Sequence, residues 1–344
     1  MSAERERRRG RWNDAREPDR VSLMPKLVLS RDLPFAPSFD LAAATRGLEV
    51  VTVATGRSAQ PEELREACRD AHALISMLSD RVDADFLAAC PELRVVANYA
   101  VGYDNLDLAA ARRAGIVLTN TPDVLTEATA DIAFALLLGV ARRVREGERL
   151  LRAGHFHGWR SDMLLGSELH GRVFGLIGMG RIGAATARRA RGFGMRVHYC
   201  NRNPVAPELA AELSAERRSL DELLAEADVL SVHCPLTPET HHLLNAERLA
   251  QLKPSAILIN TARGPVVDEA ALVDALSRGA LRGAGLDVYE HEPRVHPGLL
   301  ERDDVMLLPH LGSATTETRA VMAELALANC LAVLAGEQPK TPIG

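Results

Sequence analysis

Residues 173–183 read VFGLIGMGRIG, and the order of residue types in this stretch decides the fold. An apolar run enters Gly178, Gly180 and Gly183 in G-x-G-x-x-G spacing, and ATARRARGFG (185–194) follows with helical composition. The spacing alone is a weak signal; set between a strand and a helix it is a dinucleotide-binding fingerprint. Gly178 permits the tight turn, Gly180 lets the main chain approach a pyrophosphate, and Gly183 lets helix and strand pack closely. The phosphates then meet unpaired N–H groups at the positive end of the helix.

Outward from this motif, short β-rich runs alternate with Ala/Leu/Glu/Arg segments of helical period, which predicts parallel α/β architecture. Upstream the runs are KLVLS (26–30), EVVTVA (49–54), ALISM (73–77), RVVANY (94–99) and IVLTN (116–120). These five make one doubly wound lobe. Thr121 to Gly154 reads as a long bridging helix, with Pro122 near its start and Asp123, Thr126 and Glu127 in a capping region. Six further strands follow: RVFGLIGMG, RVHYCNR, ADVLSVHC, AILINTA, GAGLDVY and DVMLLPH. This second lobe suits a dinucleotide-binding sheet. A helical run from Thr315 to Gly336 closes the chain.

The composition agrees with a globular enzyme. The 344 residues are 47% apolar and 25% charged, with a net charge of −5, so there is room for two cores and no basic field calling for nucleic acid. The apolar stretch Ile132–Leu138, extended by Gly139-Val140-Ala141, is far shorter than the roughly 20 residues of a membrane span. Five scattered cysteines without a C-x-x-C pair read as reduced thiols of a cytoplasmic protein. The first 23 residues mix seven arginines with five acids and read as a disordered, solvated arm rather than a nucleic-acid tether. Because Met24 opens the first strand, the arm could also reflect a misplaced start codon.

After the strand MRVHYCNR, the position that carries Asp or Glu in NAD sites holds Asn201 and Arg202. A guanidinium there can pair with a 2′-phosphate, so NADP is the expected cofactor and NAD a possible one. The alternative is a surface arginine, with the ribose held by Asn201.

Three ionisable residues follow carboxyl ends of strands in the second lobe, where open α/β sheets bind ligands. Arg263 follows AILINTA, Glu292 follows GAGLDVYEH, and His310 follows DVMLLP. A reducible 2-oxo acid needs a cation for its carboxylate, a proton for the developing alkoxide, and a hydride. Arg263 suits the first demand, and a protonated His310 suits the second. Glu292 would orient the imidazole and favour its charged form. Taken singly, each could be a helix-entry charge, a turn acid or a loop residue. His241 and His242 have no third ligand at metal spacing, so no metal is expected.

These residues lie in a wider pattern: NYAVGYDNLD (98–107), TEATADIAFALLL (126–138), GLIGMGRIG (175–183), HCPLTPETHHLLN (233–245), NTARGPVVDEAAL (260–272), GAGLDVYEHEP (283–293) and LPHLGSAT (308–315). The chain resembles the D-isomer-specific 2-hydroxyacid dehydrogenases, and among them the glyoxylate/hydroxypyruvate reductases. The resemblance implies a flavodoxin-like substrate lobe (24–121 with 312–344) and a Rossmann cofactor lobe (122–311), with a homodimer through the latter. It gives the catalytic set as Arg263, Glu292 and His310. The Val101 and Gly102 amides would hold the substrate carboxylate near Leu78 and Ser79. Arg181 and Ile182 would touch the pyrophosphate, and Thr129, Pro235, Thr240 and Ala262 would line the cofactor cleft. Asp287 would meet the nicotinamide carboxamide. No regulatory domain is expected after residue 344, which weighs against the longer 3-phosphoglycerate dehydrogenases, and Glu292 weighs against formate dehydrogenase, whose pattern has glutamine in that role. The alternative on the same fold is a nucleotide-sensing corepressor of the C-terminal-binding type.

Overall fold

The computed structural model describes residues 24–343; the arm and its proposed start at Met24 concern residues 1–23, which lie outside the described residues. Two parallel sheets carry the fold. The first holds β1 (Lys26–Arg31), β2 (Glu49–Ala54), β3 (Ala73–Ser76), β4 (Val95–Asn98) and β5 (Val117–Thr119) in the order β2-β1-β3-β4-β5. This is the flavodoxin-like winding.

The second sheet holds β6 (Val173–Ile177), β7 (Arg196–Cys200), β8 (Glu216–Arg217), β9 (Val229–Val232), β10 (Ile257–Asn260), β11 (Gly283–Leu286) and β12 (Val305–Leu307). Its order is β12-β11-β10-β9-β6-β7-β8. Chain direction around the sheet reverses between β6 and β9, which places a crevice at the carboxyl end of β6. Phe174 pairs with Val229 and Ile177 with Val232 across that switch point.

The central strands read as continuous apolar runs because both faces are covered. Val229–Val232 and Ile257–Asn260 are buried throughout. In the second lobe, Leu230, Leu258, Ala284 and Leu286 face one core, while Phe174, Leu176, Ile257 and Ile259 face the other. Fully burying a Leu, Ile or Phe side chain contributes about 1.5–3 kcal/mol, so these layers outweigh the many exposed ion pairs, each worth about 0–1 kcal/mol.

Two expectations are corrected. The bridging helix is two helices, Thr126–Ala141 and Val144–Arg152, broken at Arg143 with φ of 54°. Continuation would require the Arg145 N–H to bond the Ala141 carbonyl. The Ser167 N–H takes that carbonyl instead, at 2.7 Å, and the buried stripe ends at Ala141. The cofactor lobe also has a seventh strand, β8, a two-residue polar edge that pairs with His198 and Tyr199 of β7.

The last helix, Thr316–Leu334, leaves the second lobe and returns to the first sheet. Ala326, Leu327 and Cys330 join Leu27, Leu29, Ile75 and Val95 in one core. Thr119 bridges Pro342, fixing that segment beside β5. Among the described residues, no helix is long and apolar enough to cross a membrane, no cluster could hold a metal, and all five cysteines are unbridged.

Candidate active site

The glycine turn follows directly from β6. Gly178 has φ of 94°, and a Cβ there would sit 2.6 Å from the Cys234 nitrogen, so both conformation and space require glycine. A Cβ at Gly183 would sit 2.3 Å from the Gly178 carbonyl oxygen, whereas one at Gly180 would meet nothing within 4 Å. Gly178 and Gly183 thus press helix, turn and neighbouring loop together, while Gly180 faces open space. Among the described residues, the N–H groups of Gly180, Arg181, Ile182 and Gly183 have no acceptor, and the first N–H to find one is that of Ala184, on the Gly180 carbonyl. These unpaired donors at the head of the Arg181–Gly192 helix fit a pyrophosphate.

Asn201 lies at the end of β7, half-buried beside the glycine turn. Its Oδ1 accepts from the Met179 N–H at 2.6 Å, so the side chain clamps the glycine turn. Arg202 is exposed, and the Asn201 and Arg202 carbonyls both accept from Arg217. The Arg181 guanidinium pairs with Asp123 at 2.6 Å, while its main-chain N–H has no acceptor among the described residues. Thr240 Oγ1 donates to the Pro235 carbonyl at 2.7 Å, closing the loop beside the turn.

The loops after β11 and β12 bring His310 and Glu292 together. His310 Nδ1 lies 3.0 Å from Glu292 Oε2, and the Tyr289 N–H donates to Glu292 Oε1 at 3.1 Å. Burial pushes the Glu292 carboxyl up, but the His310 hydrogen bond and charge, the Tyr289 amide and the Arg263 field hold it below the ordinary carboxylate range. The carboxylate therefore stays charged and fixes the ring through Nδ1, which leaves Nε2 for chemistry.

His310 has φ of 53°, a costly conformation for a non-glycine residue, and Asp287 supplies the restraint. The His310 N–H donates to the Asp287 carbonyl at 2.9 Å. The Leu311 and Gly312 N–H groups donate to the Asp287 carboxylate at 2.6 and 2.8 Å. Burial pushes that carboxyl up, opposed by these amides and by His310. Expected at the nicotinamide carboxamide, Asp287 is 1% exposed and grips the histidine loop. Thr129 is buried beside it: a Cβ on Gly312 would lie 3.2 Å from Thr129 Cγ2 and 3.3 Å from Asp287 Oδ2.

Arg263 reaches from the end of β10 to the first lobe. Its Nε donates to Asp104 at 2.8 Å and its Nη1 to the Ala262 carbonyl at 2.7 Å. Nη2 is buried without a partner among the described residues. It rests against Gly102, where a Cβ would fall 1.7 Å away. A buried guanidinium donor without an acceptor costs free energy unless a ligand completes it.

A buried amide network holds the facing loops. Ser76 donates to Asn98 at 3.0 Å, Asn98 donates to the Gly102 carbonyl at 2.8 Å, and Asn120 donates to the Val101 carbonyl at 2.8 Å. Asn105 donates to the Met77 and Asp80 carbonyls at 3.0 and 2.9 Å. Leu78 and Ser79, half-buried and exposed, are thereby tied to the Val101–Gly102 loop. With their carbonyls bound, the Val101 and Gly102 N–H groups remain without acceptors among the described residues. Asp104, Asn98, Asn105 and Asn120 were missed by sequence reasoning. Polar residues packed into the apolar-rich 98–120 region were the available signal.

The comparisons agree with this architecture. The model for the D-isomer specific 2-hydroxyacid dehydrogenase, NAD binding domain, matches residues 134–312. A glyoxylate reductase from Thermococcus onnurineus is 47% identical over 323 residues, 93% of this chain and 96% of that protein. The TT0316 protein of Thermus thermophilus superposes with a TM-score of 0.86 at 48% identity, covering 93% of this chain and all of that one. An NADPH-dependent glyoxylate/hydroxypyruvate reductase from Sinorhizobium meliloti, solved with NADP and malonate, gives 0.81 at 35% identity, covering 93% of this chain and 97% of that one. With a glycine turn open to a dinucleotide and matches of this length, the chain belongs to the D-isomer specific 2-hydroxyacid dehydrogenases, NAD(P)-dependent oxidoreductases built on two parallel-sheet domains.

Proposed function

We propose that the protein reduces a short 2-oxo acid, glyoxylate or hydroxypyruvate foremost, to the D-2-hydroxy acid with NADPH. The carrying observation is the Arg263 Nη2 group, buried and unpartnered beside the unpaired amides of Val101 and Gly102. Arg263 meets Gly102 from the other lobe, and such donors suit a carboxylate and an adjacent keto oxygen.

In this reading the Val101 and Gly102 amides hold the substrate carboxylate, and Arg263 grips it and polarises the keto oxygen. Asp104 keeps the guanidinium aimed. Bound nicotinamide supplies the hydride. His310 donates its Nε2 proton to the oxygen as negative charge grows there, and Glu292 stabilises the imidazolium before transfer. In the oxidative direction His310 accepts the proton from the alcohol. The amides of Gly180 to Gly183 would hold the pyrophosphate, Arg202 the 2′-phosphate, and Thr129, Pro235, Thr240 and Ala262 the walls of the cleft.

The domains divide as 24–121 with 312–344, and 122–311. We assign a homodimer through the cofactor lobe, supported by the exposed apolar side chains of Leu151, Phe156, Trp159 and Leu165 after the helix break. We also assign a cytoplasmic location. A panel of 2-oxo acids assayed with NADPH and NADH tests the activity: turnover of glyoxylate or hydroxypyruvate is expected, with higher kcat/KM for NADPH. No turnover of any 2-oxo acid would refute the proposed reaction.

A further inference from the structure

We propose that Arg217 is a second guanidinium of the 2′-phosphate pocket, acting with Arg202 to set cofactor choice. The inference rests on the NADPH reading above and adds a residue from a different strand. Arg217 lies on β8, the edge strand beside β7, with Tyr199 as its partner in register. Its Nη2 donates to the carbonyls of Asn201 at 3.1 Å and Arg202 at 3.0 Å. The guanidinium is therefore fixed at the turn that should border the adenosine ribose.

Its remaining groups, Nε and Nη1, have no acceptor among the described residues, and the side chain is exposed to an incoming ligand. Alternation along the strand explains why the adjacent acid does not cancel it. Residues 216 and 218 share one face and residue 217 takes the other. Glu216 pairs with Arg218 at 2.7 Å, and Arg218 also pairs with Glu226 at 2.9 Å. The local acids are thus satisfied away from Arg217. Its positive field reaches the end of β7, where it opposes the effect of burial on Cys200. Glu239 lies within the field of Arg202, which leaves a second cation useful for receiving a doubly charged phosphate.

The turn also transmits position. Arg217 holds the Asn201 and Arg202 carbonyls, while the Asn201 side chain clamps Met179 in the glycine turn. Arg217 accordingly contributes charge directly and positions Arg202 through the backbone. A purely structural brace would affect all nucleotides equally; a phosphate contact discriminates between them.

The test measures competitive inhibition by 2′,5′-ADP and 5′-AMP in the wild type, Arg217→Met, Arg217→Lys and Arg202→Met. The wild type is expected to prefer 2′,5′-ADP. Arg217→Met should weaken 2′,5′-ADP by about tenfold, in the range of one charge-assisted contact, with 5′-AMP changed by less than about twofold. Arg217→Lys should recover part of the preference because charge returns without the planar fork. An unchanged preference in Arg217→Met, with loss in Arg202→Met, overturns the role of Arg217 alone. Equal weakening of both nucleotides leaves only a brace and overturns it too. A wild type without the preference overturns the NADPH reading, and this inference with it.

Discussion

Gly102→Ala is a clean perturbation of the proposed substrate site. The added Cβ would lie 1.7 Å from Arg263 Nη2 and 2.6 Å from Cζ, where ordinary contact begins at 3.4 Å. The guanidinium must withdraw by about 1.7 Å to restore that contact, but it is tied by Nε to Asp104 and by Nη1 to the Ala262 carbonyl. A catalytic group misplaced by about 1 Å can lose roughly 10²-fold in rate, equivalent to about 2.7 kcal/mol of transition-state stabilisation. We expect kcat/KM for the 2-oxo acid to fall by at least about 10²-fold. Cofactor affinity should change by less than about twofold, because the displaced atoms belong to Arg263 and leave the glycine turn untouched. Steady-state kinetics, nucleotide fluorescence titration and thermal unfolding separate these effects. A Gly102→Ala enzyme with unchanged kcat/KM would refute the placement of Arg263 against the substrate.

Three further outcomes follow from the same structure. His310→Ala should lose about 10²–10⁴-fold in kcat, the contribution of a general acid, and stopped-flow single turnover should locate the loss in the chemical step. Burial holds the His233 imidazole at about 4, so the folded state binds fewer protons than the unfolded chain between about pH 6.5 and 4. Stability from this group is full above about pH 6.5 and falls with pH by up to about 3 kcal/mol; urea titrations should show a shallower acid slope in His233→Gln. Glu269 is buried and accepts the Glu290 and His296 N–H groups at 2.6 and 3.3 Å, so Glu269→Leu should lower unfolding free energy by about 2–4 kcal/mol in urea melts.

Much of the architecture was legible because local sequence and tertiary burial agree. VFGLI, VLSV and ILIN are apolar without alternation, and each forms a strand buried over its whole length. Arg263, Glu292 and His310 could be selected because each follows a strand, and the His310–Glu292 contact needs nothing beyond two neighbouring loops. The less legible parts depend on distant partners. Asp104 meets Arg263 across 159 residues, and in sequence it looks like a turn acid. The break after Ala141 depends on an amide from residue 167, so helical periodicity gives no warning of it. β8 has two exposed polar residues; its strand character comes from β7 beside it. Asp287 reads as a cleft residue, but its carboxylate is taken by the backbone it orders.

The return of the Thr316–Leu334 helix to the first sheet has a consequence for how the chain matures. Leu27, Leu29, Ile75 and Val95 are made well before Ala326, Leu327 and Cys330, which help to cover them. The second sheet is complete by Leu307, before that cover is synthesised. During translation the middle of the chain can therefore consolidate while the strands of the first sheet keep an uncovered oily face until residues 316–334 have emerged. Early chain release or truncation before the final helix would leave a nucleotide-binding body joined to a half-clad, sticky neighbour.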